Sequence, residues 1–129
     1  KELLRLRPKY YVVDMAFRQL LLPDSNRDRG HVLENIVYLE LRRRGYTVYV
    51  GQLTKGEIDF VAQKPGGILE YYQVSESVLD PTTRDRELAP LEAVKDQYPK
   101  FLLTMDELYK SHNYNGIQQC NVLDWLLGM

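Results

Sequence analysis

Two segments constrain this fold more than any others: Gly56-Glu57-Ile58-Asp59-Phe60-Val61 and Tyr72-Gln73-Val74-Ser75, separated by Lys64-Pro65-Gly66-Gly67. Proline fixes φ and glycine reaches positive φ, so the Pro-Gly-Gly stretch predicts a hairpin turn between two antiparallel strands. Side chains alternate between the faces of a strand. Ile58, Phe60, Tyr72 and Val74 are therefore expected to pack on one face. Asp59, Gln73 and Ser75, with Glu57 on the parity of Asp59, are expected on the other.

The flanking segments surround such a hairpin with helices. A helix is expected over 31–44, where Leu33, Ile36, Val37 and Leu41 form one stripe at helical spacing. Gly45 ends it, with Arg42, Arg43 and Arg44 at the negative end of the helix dipole. A strand follows at 46–50. Asp80-Pro81-Thr82-Thr83 opens a second helix, expected to reach 97 with a bend or break at Pro90. The apolar run 101–104 reads as an interior strand of the parallel kind. Asn115-Gly116 turns into a strand at 117–122, and 123–127 closes as a short helix. Before all of these, 10–13 reads as a strand, 15–22 as a helix ended by Pro23, and 24–30 as a polar loop. That division gives an N-terminal strand, short helix and linker over 1–29 and a main α/β domain over 30–129.

Composition narrows the class. Charged residues at 27% and hydrophobic residues at 44% suit a globular domain. No apolar run approaches the ~20 residues of a membrane-spanning helix, so no membrane partner is expected. One cysteine, Cys120, makes no internal disulfide, and a reducing cytoplasm is the expectation. The start, Lys1-Glu2-Leu3-Leu4-Arg5, has no signal-peptide pattern and reads as an internal stretch of a longer polypeptide. Net charge is −1, divided unevenly: +4 over residues 1–50 and −5 over the rest. This asymmetry is compatible with a side facing nucleic acid, for which Arg42, Arg43 and Lys55 are the candidate contacts.

The chemistry available on the polar face is that of a hard cation. Asp59 and Gln73 offer oxygens from neighbouring strands, and Glu34, at the edge of the Val37/Leu41 stripe, is placed to lean over them. Two or three such oxygens suffice for Mg²⁺, which keeps water and phosphate in its other positions. A cation held there would activate water against a phosphodiester. A lysine beside it would normally offset charge building on the phosphate. The strand carries Ser75 instead, leaving Lys55, Lys64 or Lys95 as the lysines that would have to move in.

These residues carry a resemblance. Gly30-x-x-x-Glu34-Asn35, then Glu57-Ile58-Asp59-Phe60-Val61, then Gln73-Val74-Ser75 is similar to the PD-(D/E)XK nuclease superfamily. More narrowly, the chain resembles the C-terminal domain of unknown function in many prokaryotic AAA-type ATPases. The carrying phrases are Pro8-Lys9-Tyr10-Tyr11-Val12-Val13-Asp14, Glu34-Asn35-Ile36-Val37-Tyr38-Leu39-Glu40-Leu41-Arg42-Arg43-Arg44-Gly45, Tyr98-Pro99-Lys100 and Asn121-Val122-Leu123-Asp124-Trp125-Leu126-Leu127. The resemblance implies a restriction-endonuclease-like α/β fold, a mixed central sheet flanked by helices. It implies site residues Glu34, Asp59, Gln73 and Ser75, of which Glu34, Asp59 and Gln73 match metal-ligand positions for Mg²⁺. It also implies an upstream P-loop ATPase in the same polypeptide. The 129 residues contain no G-x-x-x-x-G-K-[ST] motif, so ATP is expected only on that upstream part.

The functional expectation is a nucleic-acid-binding or substrate-selecting module with a degenerate active site. Two other readings stay open: an Mg²⁺-dependent nuclease using Gln73 and a relocated lysine, and a protein-interaction domain that forms homo-oligomers. Bland readings accompany each feature. Arg84 and Arg86 beside Asp85 and Glu87 read as helix-surface ion pairs, the tyrosines as cross-strand packing, and Cys120 as a core residue. His31 reads as a surface or capping histidine, and His112 as a loop residue.

Overall fold

In a computed structural model, which describes residues 3–8 and 26–128, the Pro-Gly-Gly turn does join two antiparallel strands. They belong to a seven-stranded sheet: β1 Arg5–Pro8, β2 Thr47–Leu53, β3 Gly56–Gln63, β4 Leu69–Val74, β5 Lys100–Thr104, β6 Asn113–Tyr114 and β7 Ile117–Asn121. Helices α1 Asn26–Arg43, α2 Pro81–Ala93 and α3 Val122–Leu126 flank it. The spatial order is β1-β2-β3-β4-β5-β7-β6. Pairing is antiparallel from β1 to β4 and between β6 and β7, and parallel where β5 meets β4 and β7. The parallel β4–β5 pair needs a crossover, and α2 provides it. No described helix is long and apolar enough to cross a membrane.

Both faces of the sheet are covered. On one, Leu33, Val37 and Leu41 of α1 and Trp125 of α3 pack on Val48, Phe60, Tyr72, Val74 and Leu103. On the other, Leu88 and Leu91 of α2 pack on Ile58, Val61, Tyr71, Leu102 and Ile117. Gly45 stops α1 as expected, in the left-handed region at φ 88°. The Tyr46 N–H then reaches back to the Leu41 carbonyl and the Gly45 N–H to that of Arg42, satisfying carbonyls that the helix end leaves open. Asp80 caps α2 by accepting from Thr82 N.

Several expectations are corrected. Residues 26–30 are not loop: α1 starts at Asn26 and runs through Gly30, so the boundary drawn between 29 and 30 falls inside a helix. An extra strand, β1, pairs with β2 in the main sheet. The segments expected at 10–13 and 15–22 lie outside the described residues. Pro90 does not break α2, which stops three residues later at Ala93 rather than at 97.

Ile58 is the most instructive correction, because it lies on the α2 face and not with Phe60. Tyr49 pairs with Val61 but Gly51 with Ile58, so two residues of β3, Asp59 and Phe60, oppose the single Val50. This β-bulge shifts the alternation by one, which sends Phe60 to the α1 face and Ile58 to the other. Gly51 sits at this step because the neighbours leave no room. A Cβ there would stand 2.9 Å from Val61 Cγ2 and 3.0 Å from Ile58 Cβ.

Candidate functional site

The bulge also builds the candidate site. The β3/β4 ladder ends at the pair Phe60–Tyr72, so beyond it the two backbones no longer bond one another directly. Side chains take over. The Asp59 backbone N–H donates to Gln73 Oε1 at 2.6 Å, and the Val74 N–H donates to Asp59 Oδ2 at 2.9 Å. Each strand thus closes the other's open backbone group, as buried polar groups require. Gln73 is 3% exposed, so little water competes for these bonds.

The amide end of Gln73 points to α2. Its Nε2 lies 3.3 Å from Glu87 Oε2 and 3.4 Å from the Glu87 carbonyl. Burial raises the Glu87 pKa above its ordinary value, the nearby Arg86 charge opposes this, and the negative charge of Glu34 adds to the rise. Among these interactions, Glu34 of α1 acts on Glu87 through its charge alone. Sequence reasoning missed Glu87, reading it as a partner in surface ion pairs. Its spacing from the buried Leu88 and Leu91 was the available signal, since that stripe places it at the edge of the α2 contact with the sheet.

Asp59 and Gln73 are thus brought together, while Ser75 is not engaged with them. Ser75 lies one residue past β4 and its hydroxyl donates to the Ser77 carbonyl at 3.0 Å. Glu57 is exposed. Among the described residues, no group of three or more His, Cys, Asp or Glu is gathered so as to hold a metal ion. The donor set fits Mg²⁺ poorly for a second reason: Asp59 Oδ2 and Gln73 Oε1 already accept backbone N–H groups.

The three cationic candidates do not form one cluster. Arg42 and Arg43 close α1 just before β2, whereas Lys55 lies in the turn after it. Seven residues of extended chain separate them, roughly 20 Å. Arg43 is moreover paired with Glu40, which also lies 3.6 Å from Arg44. Arg44 donates to the Trp125 carbonyl at 2.7 Å, with its guanidinium 4.3 Å from the centre of the Trp125 ring. Of the lysines that would have to relocate, Lys64 pairs with Glu70 beside the β3–β4 turn. Lys95 lies past the end of α2 and lines a cleft of about 780 Å³ with Leu4, Leu53, Ala93 and Asp96. That cleft does not include Asp59 or Gln73.

The phrase Tyr98-Pro99-Lys100 has a structural explanation. Lys100 Nζ bonds Asp96 Oδ1 at 2.9 Å and the carbonyls of Asp96 and Tyr98, which saturates its three donors. Tyr71 Oη donates to Asp96 Oδ2 at 2.6 Å. Burial works to raise the Asp96 pKa, but these hydrogen bonds outweigh it and the net shift is downward.

No protein-family model matches the chain, and no solved structure matches it. The chain is 39% identical over 127 residues to an uncharacterized protein of Haemophilus influenzae. The match takes in 98% of this chain and 30% of that protein, so the chain spans about a third of the length of its relative.

Proposed function

We propose that this chain is a restriction-endonuclease-like domain whose hydrolytic centre has become a structural joint. In this reading it holds nucleic acid for a P-loop ATPase carried elsewhere on a longer cytoplasmic polypeptide. The reciprocal bonding of Asp59 and Gln73 carries the proposal. A magnesium ligand must turn its oxygens to the cation. Here Asp59 turns one to the Val74 N–H, and Gln73 turns its only side-chain oxygen to the Asp59 N–H. Ser75 in place of a lysine removes the positive group that would offset charge on a phosphate in flight.

The lineage draws support from the order of elements. A helix bearing Glu34, three antiparallel strands, a crossover helix and a parallel strand surround the Asp59–Gln73 pair. The multi-part architecture draws support from the Haemophilus protein, most of whose length lies outside the match.

The test is nicking of supercoiled plasmid in Mg²⁺ or Mn²⁺, with duplex binding followed by anisotropy across a salt series. The expected result is salt-sensitive binding that persists in Asp59→Asn, without nicking. Metal-dependent nicking abolished in Asp59→Asn would sink the non-hydrolytic reading in favour of a nuclease with Asp59, Gln73 and Glu34 as ligands. A second reading, protein interaction, is favoured by one observation: Ile36 and Leu39 are exposed on the outer side of α1. No duplex binding, together with a concentration-dependent mass in light scattering, would select it.

A further inference from the structure

On the opposite flank of α2 from Asp59 and Gln73, toward β6, lies a cleft of about 550 Å³ between α2 and the connection from β5 to β7. Its wall is aromatic. Tyr114 is anchored from below: its hydroxyl donates to Gln119 Oε1 at 2.8 Å, and the buried Gln119 amide reaches Thr104. The His112 ring packs on Tyr114 with centroids 4.5 Å apart, and Tyr109 meets His112 edge-on at 6.4 Å. The rings form a ladder from the fixed sheet outward to Tyr109, which is 70% exposed.

Two further observations mark this ladder as more than packing. Tyr109 holds a left-handed backbone at φ 58°, costly for a bulky residue. Asn115, another described non-glycine residue at positive φ, is explained by the Asn115-Gly116 hairpin turn, which demands it. Tyr109 has no such hairpin to explain it. Across the cleft stands Arg84, half-buried on α2, whose guanidinium makes no hydrogen bond or ion pair to a described residue. A half-buried guanidinium with five unused donors suits an incoming anion.

We propose that this cleft binds a single nucleotide unit, its base against Tyr109 and its phosphate on Arg84. Aromatic rings accept any base face, and arginine matches a phosphate with paired donors. The volume lies within the range of small-molecule sites. Asp85 and Glu92 on the rim set the limit. Their carboxylates oppose a duplex backbone with its many phosphates but leave room for one phosphate beside Arg84. The ligand is therefore a free mononucleotide or one exposed nucleotide of a single strand.

The inference extends the nucleic-acid reading to a second surface and is testable apart from it. Calorimetry on the 129-residue chain would compare AMP, adenosine and ribose 5-phosphate, and anisotropy would follow a labelled ten-nucleotide oligothymidylate. Saturable AMP binding is expected, weakened about tenfold or more by Tyr109→Ala and by Arg84→Gln, and kept in Tyr109→Phe. Adenosine and ribose 5-phosphate should each bind more weakly than AMP. Arg42→Gln and Lys55→Gln should leave AMP binding unchanged. Tyr109-dependent binding of the oligonucleotide more tightly than AMP identifies a single strand as the source, and binding of AMP alone identifies a free nucleotide. No saturable binding of either probe, or binding indifferent to Tyr109 and Arg84, overturns the proposal. Loss of duplex binding with AMP binding intact would sink the nucleic-acid-module reading alone, and the converse would sink this inference alone.

Discussion

Asp59 and Gln73 hold their strands together by exchanging roles: the backbone of Asp59 donates to the Gln73 side chain, while the Asp59 carboxylate accepts from the residue after Gln73. The exchange exists because β3 bulges at Asp59–Phe60 and the direct ladder to β4 stops at Phe60–Tyr72. A carboxylate on that strand is therefore explained by backbone chemistry alone, without any ligand.

A stability measurement separates the structural role from a metal-binding one. Asp59→Ala leaves the Val74 N–H without its acceptor, at a cost of about 1–3 kcal/mol. Asp59→Asn keeps an oxygen in place and should lose less. Urea unfolding of both variants without divalent metal provides the check. A carboxylate kept only to hold a cation would behave the other way, since its removal would leave no backbone N–H unsatisfied and would not destabilise the metal-free chain.

Glu87 gives the chain a pH dependence of definite sign. Its folded pKa is raised from the ordinary 4.5 by burial and then by Glu34, with Arg86 acting against the rise. Between the unfolded and folded values the native state binds more protons than the unfolded state. The contribution of Glu87 is thus present below 4.5 and is lost as pH rises through the folded pKa. Glu87→Gln keeps an acceptor for Gln73 and removes the charge. It should be more stable than the parent at pH 7, with the advantage vanishing near pH 4, as read by paired urea titrations. A gain that is equal at both pH values would sink the assignment.

Much of this architecture was legible because local rules decide it. Gly45 stops α1, Asp80 and Pro81 start α2, and Pro-Gly-Gly and Asn-Gly turn their hairpins through backbone preferences that no tertiary contact overrides. The meeting of Asp59 with Gln73 was legible too, from strand parity. The bulge was not, because nothing in Ile58-Asp59-Phe60 announces an extra residue, and a shift of one sends Ile58 to the other face. Glu87 was misplaced for a related reason. Arg84, Asp85 and Arg86 offer it neighbours in sequence, but its partner is an amide on β4, fourteen residues away.

Arg44 ties the end of α1 to α3 by stacking on Trp125 and bonding the Trp125 carbonyl. The two contacts together are worth about 2 kcal/mol in a partly buried setting. Arg44→Lys keeps the charge but not the planar stack, and should recover only part of what Arg44→Ala loses. Trp125 is the one tryptophan, and it is 8% exposed. Its emission should shift to the red in Arg44→Ala before the rest of the chain unfolds in urea. Unchanged emission in that variant would mean that α3 stays docked without the arginine.

Gly51 offers the sharpest test of the bulge itself. An alanine methyl there meets Val61 Cγ2 at 2.9 Å, Ile58 Cβ at 3.0 Å and Leu4 Cδ1 at 3.2 Å. The first two neighbours belong to β3 on either side of the bulged pair, so neither moves without shifting the strand that carries Asp59. Gly51→Ala should cost about 1–3 kcal/mol, the range of an overpacked core. The damage should also reach the site, because displacing β3 lengthens the Asp59–Val74 bond. In a double-mutant cycle with Asp59→Ala, the two losses should therefore sum to more than the measured double loss. Additive losses would show that the register step and the Asp59–Gln73 joint are independent, and that the bulge does not position the site.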